Sequence, residues 1–138
     1  MSQRIALTTL VVRDYDEAIA FYRDQVGFEL VEDTPLGEGK RWVVVAPAGA
    51  GAGLLLARGV GEAQTARVGD QTGGRVGFFL ETDDLARDHA AMTARGVVFV
   101  RPPESEPYGV VAVWEDLYGN LWDLLQPAAA LDSRGAAE

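Results

Sequence analysis

Any chemistry in this chain rests on carboxylates, arginines and aromatic rings, because the usual metal-binding and nucleophilic residues are scarce. There is no cysteine and a single histidine, His89. Without cysteine there are no disulfides, thiolate zinc sites, iron–sulfur clusters or cysteine nucleophiles. One imidazole excludes a single-chain metal centre that needs two, the facial-triad iron site included. Ser2, Ser105 and Ser133 lie near the ends or in expected loops, with no histidine spaced to activate them. Asp123 is more suggestive. Strand alternation puts Leu121, Asp123 and Leu125 on one face and Trp122 and Leu124 on the other. A carboxylate in such a face pairs with a ligand cation, acts as a general base with a raised pKa, or pairs with an arginine such as Arg41 or Arg75. Trp42, Tyr108 and Trp114 are candidates to stack on a flat ligand, with core packing as the alternative.

The elements that must position these residues belong to an ordinary globular chain. Its 138 residues suit one compact domain, and 48% hydrophobic with 24% charged residues is the composition of a soluble fold. The formal charge of −9, from 12 basic and 21 acidic residues, weighs against nucleic acid and suits a cationic or neutral small ligand. No signal-peptide pattern and no apolar run near membrane-spanning length is visible, so a cytoplasmic protein without a membrane partner is expected. The tail, residues 127–138, reads as a frayed or short surface segment.

Self-similarity organises the chain. An alternating strand over Ile5–Val12 leads to Asp14, an N-cap with Glu17 at capping-box spacing. A helical face follows at Tyr15, Ala18, Ile19, Tyr22 and Val26 and closes at Gly27, a C′ glycine. Strands are predicted at Phe28–Val31, Arg41–Ala46 and Gly53–Ala57, separated by Pro and Gly. The order then repeats: strand Arg75–Leu80, cap Asp84, helical face Leu85, His89 and Met92, closing Gly96, and strands Val97–Val100, Val110–Trp114 and Leu121–Leu125. The spacing is 70 residues from Asp14 to Asp84, 69 from Gly27 to Gly96 and 68 from Leu55 to Asp123. His89 takes the place of Ile19 and is expected to pack on the helix as a core or half-exposed residue. The Gly-rich stretch 59–74 is a connector, and Pro102–Pro107 a proline-stiffened loop.

The run from Val11 to Tyr22, with Val26-Gly27-Phe28, resembles the first module of the vicinal oxygen chelate superfamily, which holds glyoxalase I, bleomycin-resistance and extradiol-dioxygenase proteins. The second module resembles it through Arg95-Gly96-Val97, Tyr108-Gly109 and Asp116-Leu117-Tyr118-Gly119-Asn120, which departs from the family turn at its proline and third position. The resemblance implies an α+β fold of two tandem βαβββ modules whose curved mixed sheets surround a concave cleft. Its bounds are one domain over 1–138, with module one at about 4–58, connector 59–74, module two at about 75–126 and tail 127–138.

The resemblance also implies four metal-ligand positions: Leu7, Leu55, Gly77 and Asp123. Only Asp123 has a donor atom, and sliding the pattern by one residue brings in no imidazole or carboxylate. No metal and no other cofactor is therefore expected, and neither glyoxalase nor ring-cleaving chemistry is supported. The implied ligand groove draws on Leu7, Arg41, Trp42, Leu55, Gly77, Phe79, Tyr108, Trp114 and Asp123, together with Val11. The favoured reading is a metal-free homodimer that sequesters a small aromatic or cationic molecule. The alternatives are a glyoxalase-like lyase or isomerase with Asp123 as base, and an accessory domain without a ligand.

Overall fold

The computed structural model describes residues 2–49 and 51–128, so the predicted tail lies, from residue 129 onward, outside the described residues. The chain forms two compact units, residues 1–71 and 72–138. Unit one runs β1 Leu7–Val12, α1 Tyr15–Ile19 with a π-helical continuation Ala20–Val26, β2 Glu29–Gly37, β3 Lys40–Ala46, β4 Gly53–Arg58 and α2 Gly61–Thr65. Unit two runs β5 Val76–Glu81, α3 Leu85–Ala94, β6 Val98–Glu106, β7 Gly109–Glu115 and β8 Leu121–Pro127. Each builds a four-stranded mixed sheet, ordered β1-β4-β3-β2 and β5-β8-β7-β6. The repeat read from the sequence is thus a repeat of topology. The connector is less featureless than predicted, since α2 forms within it.

In unit one, β1 runs parallel to β4 and β3 antiparallel to it, setting Leu10 and Val43 beside Leu56 and Val45 beside Leu54. These alternate positions are buried together with Tyr15, Ala18, Ile19, Tyr22 and Val26 of the helix. Asp14 caps that helix as expected, its Oδ2 accepting from the Glu17 N–H at 2.9 Å. The helix does not stay α. Its turns widen after Ile19, and the N–H groups of Gly27 and Phe28 both donate to the Tyr22 carbonyl. Two consecutive rings of this segment, Phe21 and Tyr22, are buried in the core.

Unit two has an aromatic spine. Phe78, Trp122 and Trp114 occupy neighbouring strands in register and stack, with centroids 4.8 Å apart at both steps. Trp114 is fully buried. It belongs to the core, which corrects its assignment to a ligand-contacting wall. Asp84 caps α3 through the Arg87 N–H at 3.1 Å, and buried Gln126 of β8 accepts from the Leu85 N–H at 2.9 Å. Two of the first-turn donors are thereby satisfied.

Two predicted segments are corrected. The strand expected to end at Val31 continues through Pro35 to Gly37, and the proline-stiffened loop lies, as far as Glu106, inside β6. Both are edge strands, and the ladder shifts register near their prolines. An edge strand tolerates proline because one row of its N–H groups needs no ladder partner, and bulges absorb the misfit.

The turn from β7 to β8 is built by the Asp116–Asn120 motif. Buried Asp116 accepts through Oδ1 from the N–H groups of Tyr118 and Asn120, and through Oδ2 from the Asn120 Nδ2, all at 2.9 Å. The Asp116 N–H donates to the Asn120 carbonyl at 2.9 Å, and Gly119 takes a left-handed φ of 95° inside the loop. These residues are scaffold. Asp116→Ala strips an acceptor from three donors and should cost about 2–3 kcal/mol, read as a lower urea midpoint with an unchanged slope. Exposed Asp70→Ala should leave the midpoint where it is.

Candidate functional site

In unit one a cavity of about 790 Å³ is bounded by β1, β3, β4, α2 and the β2–β3 turn. Of the predicted ligand residues, Arg41, Trp42 and Leu55 line it. Trp42 and Leu55 stand on the sheet face that alternates away from the buried Val43 and Leu56. Leu7 does not share this cavity. It lines a neighbouring hollow of about 400 Å³ with Val31, Trp42 and Val44. Thus Trp42 borders both spaces. Val11 lines neither, and its N–H donates to Gln71 Oε1 at 2.8 Å.

Sequence reasoning missed Tyr15, Leu36, Glu38, Lys40, Arg58, Val60 and Gln64, which also line the main cavity. Lys40 had a visible signal, since it lies two residues before Trp42 and therefore on the same strand face. Val60 and Gln64 had none, because they enter through α2, where only a connector was expected.

Arg41 has a structural task. Its Nε and Nη2 donate to the two oxygens of Asp33 at 3.0 and 2.7 Å, and its Nη1 donates to Asp16 at 2.9 Å. These hydrogen bonds raise the Arg41 pKa, and the same bond to Arg41 lowers that of Asp33. Arg41 therefore ties β3 to β2 and α1. Tyr15 completes the corner: its hydroxyl accepts from the Arg41 N–H at 3.2 Å, and its ring carries the Arg41 guanidinium 5.0 Å from the centroid. The Arg58 guanidinium lies 5.5 Å from the same centroid.

In unit two, Asp123 sits between Phe79 of β5 and Val113 of β7 in register. With Arg101, Glu104, Tyr108 and Val111 it lines a hollow of about 210 Å³. Burial raises the Asp123 pKa, and the charge of Arg101 opposes that rise. The arginine acting on Asp123 is Arg101, neither Arg41 nor Arg75. No hydrogen bond joins its carboxylate to another described side chain. Phe79 is two-thirds exposed and does not line this hollow, whereas Tyr108 does.

The four positions where the fold family would place metal ligands do not fit a cation. Leu7 and Leu55 offer no donor, and Gly77 falls at a register shift in β5. A Cβ at Gly77 would stand 2.5 Å from Thr72 Cγ2, and Thr72 is held by its hydroxyl donating to the Arg75 carbonyl at 2.6 Å. Asp123 is the one donor of the four. His89 is half-buried on α3 and packs on Phe99, with centroids 4.3 Å apart. Among the described residues, no three histidine, aspartate or glutamate side chains gather as a metal site would require.

The sequence model of the Glyoxalase/Bleomycin resistance protein/Dioxygenase superfamily matches residues 4–124. The chain belongs to this superfamily. An uncharacterized protein of Shewanella frigidimarina (strain NCIMB 400) is 56% identical over 128 residues, covering 91% of this chain and 95% of its own length. Among solved structures, TnmS3, an antibiotic binding protein from Streptomyces sp. CB03234, is 34% identical with a TM-score of 0.74, covering 91% of this chain and 97% of that one. A glyoxalase/bleomycin resistance protein from the same Streptomyces is 35% identical with a TM-score of 0.70, covering 89% and 100%. Like these structures, the superfamily member described here is built as the predicted α+β repeat. None of its described helices is long and apolar enough to cross a membrane.

The state of Asp123 can be read from stability. Its folded pKa lies above its unfolded value, so its contribution is fully present below the unfolded pKa and is lost as pH rises through the folded one. Asp123→Asn should therefore raise the melting temperature at pH 7. The gain should shrink to nothing as pH falls through the carboxylate range. A gain that persists unchanged at acid pH would show that packing, not charge, is responsible.

Proposed function

We propose that this superfamily member binds a small planar organic molecule without a metal, in the cavity beside Trp42. The carrying observation is a half-exposed indole on a concave surface with Tyr15, Leu36, Leu55 and Val60 close by. The cavity volume falls within the roughly 300–1,000 Å³ range of small-molecule sites, and its lining mixes apolar groups with Thr9, Glu38, Lys40 and Gln64. Support also comes from the likeness to TnmS3, described as an antibiotic binding protein. The donor-poor set Leu7, Leu55, Gly77 and Asp123 favours recognition by shape and stacking over metal chemistry.

Trp42 provides its own reporter, because Trp114 and Trp122 are buried in the stacked core. Titration with a panel of polycyclic aromatic antibiotics should quench tryptophan emission saturably for at least one member. Trp42→Ala should weaken that compound about tenfold or more by calorimetry, equivalent to about 1.4 kcal/mol. A panel without saturable binding would retire the proposal.

The second reading, a lyase or isomerase, draws on the raised pKa of Asp123. A general base would exchange a carbon-bound proton of a bound ligand with solvent deuterium. Exchange by the native chain that Asp123→Asn abolishes would move the assignment to this reading.

A further inference from the structure

In unit one, β1 lies at an edge of its sheet. Successive residues of a strand turn their N–H and C=O groups to opposite sides. The carbonyls of Ala6 and Val12 accept from the Gly53 and Gly59 N–H groups, at 3.0 and 2.9 Å, and so face β4. Thr9 and Val11 are out of phase with Ala6 and Val12 or adjacent to them, so their backbone groups face the open edge. A side chain fills that edge. Gln71 Nε2 donates to the Thr9 carbonyl at 2.6 Å, and Gln71 Oε1 accepts from the Val11 N–H at 2.8 Å. Bonding the carbonyl of one residue and the N–H of the next but one is what a parallel neighbouring strand does. Here a single carboxamide supplies both bonds.

Gln71 also closes a loop. Gly59 bonds β1 at Val12, and Gln71 bonds it at Thr9 and Val11, so residues 59–71 form a strap stitched to β1 at both ends. Between the stitches the backbone is bonded turn to turn. The N–H groups of Ala66, Arg67, Val68 and Asp70 donate to the carbonyls of Glu62, Gln64, Thr65 and Arg67. Gln64 Oε1 accepts from the Val60 N–H at 2.9 Å. The root is tight, since a Cβ at Gly59 would stand 3.3 Å from backbone atoms of Gln64 and Thr65. Val60 and Gln64 of this strap, with Thr9 of β1, line the cavity beside Trp42.

Resting on the binding reading above, we infer that Gln71 is a positioning residue for that cavity. Its carboxamide holds the strap against β1, and with it the wall that Val60 and Gln64 form. Gln71 itself does not line the cavity, so its effect on a ligand passes through the strap.

Hydrogen exchange of the full chain, resolved at single amides by NMR, tests the clasp without a ligand. Gln71→Met keeps the side-chain length and removes both bonds. The Val11, Ala66 and Arg67 amides should then exchange about tenfold faster or more, while those of Gly59 and β3 keep their native rates. Gln71→Glu keeps an acceptor for the Val11 N–H but loses the donor to the Thr9 carbonyl, so its rates should fall between the two. The compound that saturates in the antibiotic titration should bind Gln71→Met about fivefold more weakly or worse. Native exchange rates in Gln71→Met would overturn the inference. A loosened strap with native affinity would also overturn it and leave the binding reading intact. A panel without a binder would remove both, even with the clasp confirmed by exchange.

Discussion

A four-stranded sheet has two faces, and each unit of this chain lays its main helix on one of them. That constraint decides where function can reside. The helix-covered faces take the residues that pack by volume: Leu10, Val43, Val45, Leu54 and Leu56 in unit one, and Phe78, Ala112, Trp114, Trp122 and Leu124 in unit two. The alternate positions, Trp42 and Leu55 on one sheet and Asp123 on the other, are then directed elsewhere by the two-residue period of the strand. A repeat of topology produces two such faces, but their side chains have diverged. One borders a wide cavity with the indole of Trp42, the other a narrow hollow where Asp123, with its raised pKa, stands near Glu104 and Glu106.

Charge in unit one shows why residue type is a poor guide to role. Arg41 and Arg58 lie on neighbouring strands beside the same tyrosine ring, and each lines the same cavity. Arg41 makes bidentate contact with Asp33 and reaches Asp16, so its donors are spent on joining three elements. Arg58 has the same charge and the same ring, but no carboxylate among the described residues. Much of the chain's acidity is similarly absorbed locally, as where Arg13 meets Glu17 and Arg87 meets Asp83 and Asp88. Exposed pairs of this kind contribute little to stability.

The sequence conveyed what depends on local period and failed where partners lie far along the chain. The two Asp caps, the closing Gly27 and Gly96 with their left-handed φ, and the alternation around Asp123 were all legible, because each is a feature of a few consecutive residues. Trp114 was not, and the reason is specific. The run Val110-Val111-Ala112-Val113-Trp114 is apolar at every position, so no alternation reveals which face its tryptophan occupies. Only registration with Trp122 settles it. The Arg41 clamp was hidden because Asp16 and Asp33 are 25 and 8 residues away and converge only in the folded unit. The edge strands were under-read because proline normally argues against a strand, a rule that weakens at sheet edges.

Of the four positions that the resemblance assigns to metal ligands, Gly77 differs from the others in its backbone setting. Leu7 and Leu55 keep a strand backbone on which a donor side chain could stand. Gly77 differs, because its register shift and the tethered Thr72 fill the space a Cβ would need. A side chain at residue 77 would require Thr72 to shift. With that corner closed, Asp123 has no second donor from β5 to share a cation with, and burial works against its charge. A divalent ion normally takes four or more ligands, and among the described residues no such group gathers at Asp123. The chain has the superfamily's two four-stranded sheets. The scaffold elements, exemplified by Asp116 and Asn120, are independent of whichever occupant the faces hold.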